Sequence, residues 1–259
     1  MKPTIILIHG FRGTHHGLLL IAKHLKAFNV IVPDLPGFGS GPTLQNYSLP
    51  QYVKWLNEFV SKNTSKNGPP PYLLGHSFGS IICAAYAKKH PSTIKKLILV
   101  NPIGSPALEG PKKILTKLAI AYYKVGAKLP EKPAKVWLSS KLVVQITSLA
   151  MVKTRRKNLR AFIHQQHHLY FSRFHNRQSV LESFTTSVSN TVADFAADIS
   201  VPTLLIAGSL DDITPLSAQY LLVKKFPQAQ LKVINDVGHL THYETPEEVA
   251  RYVQEFCSK

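Results

Sequence analysis

Cysteine is scarce in this chain. It has two, Cys83 and Cys257, with no C-x-x-C spacing, which excludes a disulfide framework and a cysteine-based zinc site. Long apolar runs are missing as well. Those present, such as Ile5–Ile8 and Leu18–Ala22, fall far short of the ~20 residues a membrane-spanning helix needs. The N-terminal stretch is too short for a signal-peptide core, and His9-Gly10 is no small-residue cleavage site. The expectation is a soluble, cytoplasmic protein that starts at residue 1. No internal repeat or low-complexity run is visible. Apolar residues at 44% and charged residues at 17% exclude a disordered chain and a coiled coil. Acid is the scarcest charge: 14 Asp and Glu stand against 31 Lys and Arg, a net +17.

That excess is unevenly placed. Residues 103–189 hold fifteen basic residues and three acids (Glu109, Glu131, Glu182), a net +12, and the remainder carries only +5. The chain therefore divides into a nearly ordinary part and a basic middle. Its 259 residues suit one α/β domain with a large core.

Short apolar, β-branched runs predict buried strands at 5–9, 30–34, 72–75, 97–101, 203–207 and 231–235. Helical spacing predicts helices at 15–27, 49–60, 78–89, 216–225 and 246–257. The last has Thr245 as N-cap, Pro246 at its first position and Glu247 and Glu248 in its first turn. Strands alternating with helices give a parallel, doubly wound sheet, whose chemistry gathers at the carboxyl ends of the strands. The alternation fails once, from 103 to 189. There the pattern predicts helices at 110–129, 139–148 and 157–174, inserted after the fourth strand.

The sharpest chemical signal is Gly75-His76-Ser77-Phe78-Gly79, which follows a strand and opens a helix. In that context G-x-S-x-G puts a serine on a strained turn, and side chains at either glycine would strike the neighbouring elements. A serine hydroxyl is a poor nucleophile without a base and a group to orient that base. His239, after Gly238 and beyond the last strand, is placed to reach back to such a turn. The acid lies in Gly208–Pro215, where Asp211 and Asp212 both compete, either of them equally able to cap the next helix. Asn101, at the end of an earlier strand, carries no charge and is set aside as the anionic member.

Taken in order, these blocks resemble the α/β-hydrolase superfamily over nearly the whole chain. His9-Gly10-Phe11 resembles the loop that forms half of the oxyanion hole. Asp34-Leu35-Pro36-Gly37-Phe38-Gly39 is similar to the family's D-x-x-G-x-G turn. Gly75–Gly79 resembles the nucleophile elbow, Gly208–Pro215 the acid segment, and Gly238-His239 with Glu244-Thr245-Pro246 the histidine loop and final helix. The resemblance selects Asp211 over Asp212. It implies a catalytic triad of Ser77, Asp211 and His239, with the backbone N–H groups of Phe11 and Phe78 as the oxyanion hole. It implies a core formed by 1–102 and 190–259, and a helical cap at 103–189. The family's usual two strands before the His-Gly strand have no room here, so a sheet of about six strands is expected.

The activity implied is a serine hydrolase that cleaves a carboxylic ester, thioester or related acyl bond through an acyl-enzyme. Hydrolysis of a carbon–carbon bond in dienoic diketones and acyl transfer share this triad. A hydrolase-like binding module without catalysis is the non-enzyme alternative. No metal or organic cofactor is expected. His76, Tyr122 and Tyr170 are candidate contacts for a small-molecule acyl substrate. Trp137, Tyr123, Phe162 and Phe171 are further aromatic candidates for a pocket or for cap core. His164, His167, His168 and His175 lack a carboxylate or cysteine among them and read as cap surface or pocket lining. Nucleic acid is not expected, because Lys outnumbers Arg and no binding motif occurs. The basic middle reads as a solvated face, an attractor for anionic substrate, or a contact with an anionic membrane surface. For the last, 110–129 combines an apolar stripe with Lys113, Lys117, Lys124 and Lys128.

Overall fold

The structure is a computed structural model, and it describes residues 2–65, 68–106 and 113–258. Six strands form one sheet in the order β2-β1-β3-β4-β5-β6, every neighbouring pair parallel. They are β1 (Thr4–Ile8), β2 (Asn29–Ile31), β3 (Tyr72–His76), β4 (Lys96–Val100), β5 (Thr203–Gly208) and β6 (Ala229–Ile234). The central strands are buried along nearly their whole length because helices cover both faces. Successive side chains alternate between those faces.

On one face Ile6, Ile8, Leu73, Leu97, Leu99 and Leu205 pack against α2 (Leu49–Asn63) and α3 (Phe78–Lys89). On the other Ile5, Leu7, Leu74, Ile98, Leu204 and Ile206 pack against α1 (Leu19–His24) and the final helix (Pro246–Ser258). The predicted strand at 30–34 stops at Ile31, because Asp34 turns away to collect donors. The predicted helix at 15–27 is a 3-10 turn, His15–Leu18, followed by the six-residue α1.

Between β4 and β5 lie five helices: α4 (Lys113–Lys128), α5 (Glu131–Leu138), α6 (Lys141–Met151), α7 (Lys157–Tyr170) and α8 (Arg177–Ser189). Three were expected, and the predicted start of the first, at 110, falls outside the described residues. The helix α8 is rich in Ser and Thr, which favour caps over helix interiors. Its start is fixed by a capping box in which the Asn176 side chain accepts from the Ser179 N–H. The helix α7 ends at Tyr170, four residues early. Beyond it the backbone joins the 37–39 turn: Gly39 N–H donates to Arg173 O (2.7 Å) and His175 N–H to Gly37 O (3.0 Å).

The segment leaves and re-enters the core at one seam, where Val192 N–H donates to Ile103 O at 2.8 Å. After β5 follow α9 (Leu216–Val223), the one-turn α10 (Thr241–Glu244) after β6, and α11 (Pro246–Ser258).

Candidate active site

Ser77 sits between β3 and α3 with φ 52° and ψ −118°, a backbone region that side chains rarely occupy. The turn is that tight because both glycines let backbone pass. A Cβ on Gly75 would lie 2.4 Å from Gly79 O, and one on Gly79 would lie 2.4 Å from Ile8 O. The turn is tied to the sheet by Ser77 N–H to Val100 O (3.1 Å) and to the helix by Ser80 N–H to Ser77 O (2.8 Å).

His239 Nε2 lies 2.8 Å from Ser77 Oγ, and His239 Nδ1 lies 2.8 Å from Asp211 Oδ2. A carboxylate only accepts, so Nδ1 carries the proton and Nε2 is left to accept from the serine hydroxyl. Asp211, 3% exposed, receives donors on both oxygens. Oδ1 accepts from the N–H groups of Ile213 (2.8 Å) and Thr214 (3.0 Å), and Oδ2 also accepts from Thr214 Oγ1 and Asn101 Nδ2. Burial pushes this carboxyl up, but the charge and hydrogen bond of His239 and the Thr214 donors outweigh burial and hold it at about 2. Asp212 instead pairs with Lys153 of the helical segment.

Asn101 and Thr241 complete the acid's surroundings. Asn101, at φ 46°, donates to Asp211 and accepts from Thr241 Oγ1. Its signal was its place at the carboxyl end of β4. It failed as an acid and serves as a donor.

The loop after β1 runs directly against the elbow. A Cβ on Gly10 would be 3.2 Å from Ser77 Cβ, so glycine permits the approach. Phe78 opens α3, and its N–H is one of the first four that lack an intrahelical acceptor. His9 anchors the loop: its Nε2 accepts from Leu35 N–H (2.8 Å) and its Nδ1 donates to Gly10 O (2.8 Å), while burial lowers its pKa to about 4. In the D-x-x-G-x-G turn, burial likewise opposes ionisation of Asp34. N–H donors from Ser40 and His15 overcome it and hold the carboxyl at about 2. Gly39, at φ 53°, has no room for a Cβ, which would meet Asp34 Oδ2 at 2.3 Å.

Arg12 follows Phe11 and is buried, with φ 58°. Its guanidinium makes no ion pair among the described residues; it donates to Leu138 O (2.7 Å), Phe171 O (2.9 Å), Ser172 Oγ (3.1 Å) and Tyr123 Oη (3.2 Å). Two of those acceptors are carbonyls at the C-terminal ends of α5 and α7, where the helix dipole is negative. Beside it the Phe11 ring meets Phe38, Phe78, Tyr123 and Phe184 at centroid distances of 6.0, 6.4, 5.9 and 5.9 Å. Tyr123 was among the aromatic candidates. Phe184, on an unforeseen helix, was not.

The three candidate substrate contacts are placed as follows. His76 is buried, donates from Nε2 to His239 O (3.3 Å) and packs on His242; burial, then the nearby His239, lowers its pKa to about 3. The Tyr122 hydroxyl donates to Trp137 O (2.7 Å), joining α4 to α5. Tyr170 stacks on His16 at 3.9 Å. The structure thus brings His76 to the triad and uses the two tyrosines in packing. Among the histidines of the segment, His164 and His167 both meet Ser148 Oγ (2.7 and 2.6 Å) and His168 meets Gln145 (2.6 Å).

Residues 5–252 match the family model described as the alpha/beta hydrolase family, and the chain belongs to that family. Within it the chain is similar to Lipase 3 of Moraxella sp. (strain TA144), at 29% identity over 97% of this chain and 76% of that protein. It is 26% identical to the monoacylglycerol lipase ABHD6 of Mus musculus, over 99% of this chain and 76% of the relative. Among solved structures, the enol-lactonase of Burkholderia xenovorans LB400 superposes with a TM-score of 0.80 at 14% identity, covering 100% of this chain and 92% of that one. That likeness is one of fold.

Proposed function

We propose that this chain is a serine hydrolase that cleaves a carboxylic ester of a lipid-like acyl group through an acyl-enzyme. The observation that carries this is the unbroken chain Ser77 Oγ, His239 and Asp211 at 2.8 and 2.8 Å on a strained elbow. Ser77 Oγ attacks the carbonyl carbon as its proton passes to His239 Nε2. Asp211, ionised throughout the working pH range, holds the ring and stabilises the imidazolium. The N–H groups of Phe11 and Phe78 receive the developing oxyanion, each such donor contributing about 2.7–4 kcal/mol in the transition state. His239 then protonates the leaving alcohol, and water activated by the same ring releases the acid.

The lipase relatives support an acyl ester of a lipid as substrate class. The rings around Phe11 offer an apolar wall beside the elbow. Residues 103–189 act as the cap in this reading, supported by their bonds to Arg12, the 37–39 turn and Asp212. Their net positive charge supports contact with an anionic membrane surface, met from the cytoplasmic side.

Labelling with a fluorophosphonate and turnover of p-nitrophenyl esters of increasing chain length test the proposal. Label on Ser77 that vanishes in Ser77→Ala, with turnover of medium or long acyl esters, supports it. An unlabelled, inactive wild-type protein overturns it in favour of a binding module.

A further inference from the structure

The helix α6 has no polar face of the usual kind. Val144 and Ser148 point inward and are buried, and the opposite side, where a soluble helix carries charge, is apolar too. Leu142, Ile146 and Leu149 fall at i, i+4 and i+7 and are 69%, 57% and 49% exposed. Lys141 is the helix's sole charged residue.

The pattern extends on both sides. In the last turn of the preceding α5, Val136 is 76% exposed, with Lys132 and Lys135 of the same helix also exposed. Trp137 stacks one face of its ring on Tyr122 and remains partly exposed. On α7, Leu169 is exposed next to His168, which bonds to Gln145 within the α6 stripe. Of the thirteen large apolar side chains exposed among the described residues, eight lie between 118 and 169. The apolar exposure is therefore concentrated in this stretch of the chain rather than scattered along it.

The same stretch is the most basic in the chain. From 113 to 176 there are thirteen Lys and Arg and one acid, Glu131, whose carboxylate pairs with Arg177. A partner must therefore accept leucine and isoleucine while meeting lysines with negative charge. A second copy of this chain would set two positive faces against each other. A nucleic acid would supply phosphates but no apolar layer. A bilayer with anionic headgroups supplies both, the acyl region for the stripe and the headgroups for the lysines.

We infer that the outer face of α5 and α6 is the docking face for an anionic lipid surface, with Leu142, Ile146 and Leu149 inserted below the headgroups. Lys132, Lys135 and Lys141 lie at headgroup level. This moves the contact from the lysine stripe of α4, which the sequence suggested, to the helices that follow it. It deepens the membrane contact included in the proposed function and does not require the esterase activity.

The test is co-sedimentation of the full chain with phosphatidylcholine vesicles, with and without phosphatidylglycerol. Three proteins are compared: wild type, the apolar variant Leu142→Gln/Ile146→Gln/Leu149→Gln, and the charge variant Lys132→Gln/Lys135→Gln/Lys141→Gln. All six positions are exposed, so the fold should persist. Wild type should bind the anionic vesicles. The apolar variant should lose about tenfold or more in partitioning. The charge variant should lose about fivefold per lysine at low salt, a difference that added salt erases. Vesicles should shift the emission of Trp137, since Trp55, the chain's other tryptophan, is buried. Turnover of a short soluble ester should be equal in all three.

Wild type that ignores anionic vesicles at low salt, or an apolar variant that binds as well as wild type, overturns the inference. So does a lipid-free oligomer that the apolar variant dissolves into monomers, which would give the face to a second copy. Vesicle binding by a protein that turns over no ester would leave this inference standing and overturn the proposed function instead.

Discussion

Asn101 Nδ2 and His239 Nδ1 meet on one oxygen, each 2.8 Å from Asp211 Oδ2. The amide thus sets the direction from which the carboxylate addresses the imidazole. It is held in turn by Thr241, three residues from the start of the histidine loop. Asn101→Gly keeps access to the positive φ at this position and removes only the side chain. A hydrogen bond to a charged group is worth about 1.5–3 kcal/mol, so kcat should fall by roughly tenfold to a hundredfold with KM nearly unchanged. Steady-state kinetics on a soluble ester measures this; an unchanged kcat would remove Asn101 from the site.

The two neighbouring aspartates give a sharper contrast. Asp211→Asn should lower kcat by about 10⁴-fold, because the amide no longer enforces the tautomer that leaves Nε2 free. Asp212→Asn alters a pair with Lys153 instead and should leave kcat near the wild-type value. The reverse ranking, from the same assay, would reassign the acid.

Acid stability should be governed by histidines that burial keeps neutral. His9, His76 and His167 sit at about 4, about 3 and about 4, against 6.5 when exposed. Below pH 6.5 the unfolded chain takes up protons that the folded chain refuses, so stability falls as pH drops toward 4. Each group contributes about 1.4 kcal/mol per pH unit, so the three together remove roughly 4 kcal/mol per unit within that window. Asp34 and Asp211, both held at about 2, act lower down. Their stabilisation is complete above ~pH 4 and is lost as pH falls through 2. Calorimetry should show a nearly flat Tm above pH 7 and a steep fall below pH 6. A Tm that holds to about pH 5 would contradict the neutral state of these rings.

Arg12 offers a test of how the helical segment is held. Arg12→Met removes donors from Leu138 O, Phe171 O and two hydroxyls at once and should cost about 3 kcal/mol or more. Arg12→Lys restores the charge but not the fork that spans both helix ends, and should recover part of the loss. Chemical denaturation reports the stability. Turnover should fall further than stability alone explains, since Phe11 is the adjacent residue.

Two glycine substitutions should behave oppositely. Gly79→Ala drives a methyl to 2.4 Å from Ile8 O and should prevent soluble expression. Gly17→Ala meets nothing closer than Tyr243 Oη at 3.5 Å and should be tolerated, with unchanged circular dichroism and a Tm at or above wild type.

The core was legible because both of its signals are local. Buried parallel strands read as short apolar runs, and the elbow, acid and histidine blocks each lie within a few residues. The choice of Asp211 needed a comparison of blocks, since spacing alone left Asp212 open. What stayed hidden depends on contacts distant in sequence. Arg12 looks like an ordinary loop cation until residues 126 and 159 positions away become its acceptors. The helix α8 has a Ser/Thr-rich sequence that reads poorly. It is stabilised by Tyr52 Oη to Ser183 Oγ (2.7 Å) and Tyr47 N–H to Glu182 (2.8 Å), bonds no periodicity reveals.

The bond between Val192 and Ile103 has a consequence for how this enzyme can change. Because the chain departs and returns at one point, everything between those residues is a closed excursion, and the strands on either side never register its length. Lengthening such an excursion is mild thermodynamically, about 0.6 kcal/mol for each doubling. A foreign helical cassette can therefore be grafted between 103 and 192 while β4, β5 and the triad stay in register. The graft must still offer Arg12 two helix ends and must answer the 37–39 turn with a short extended strand. Within those terms, the helical segment is interchangeable hardware on a fixed six-stranded frame.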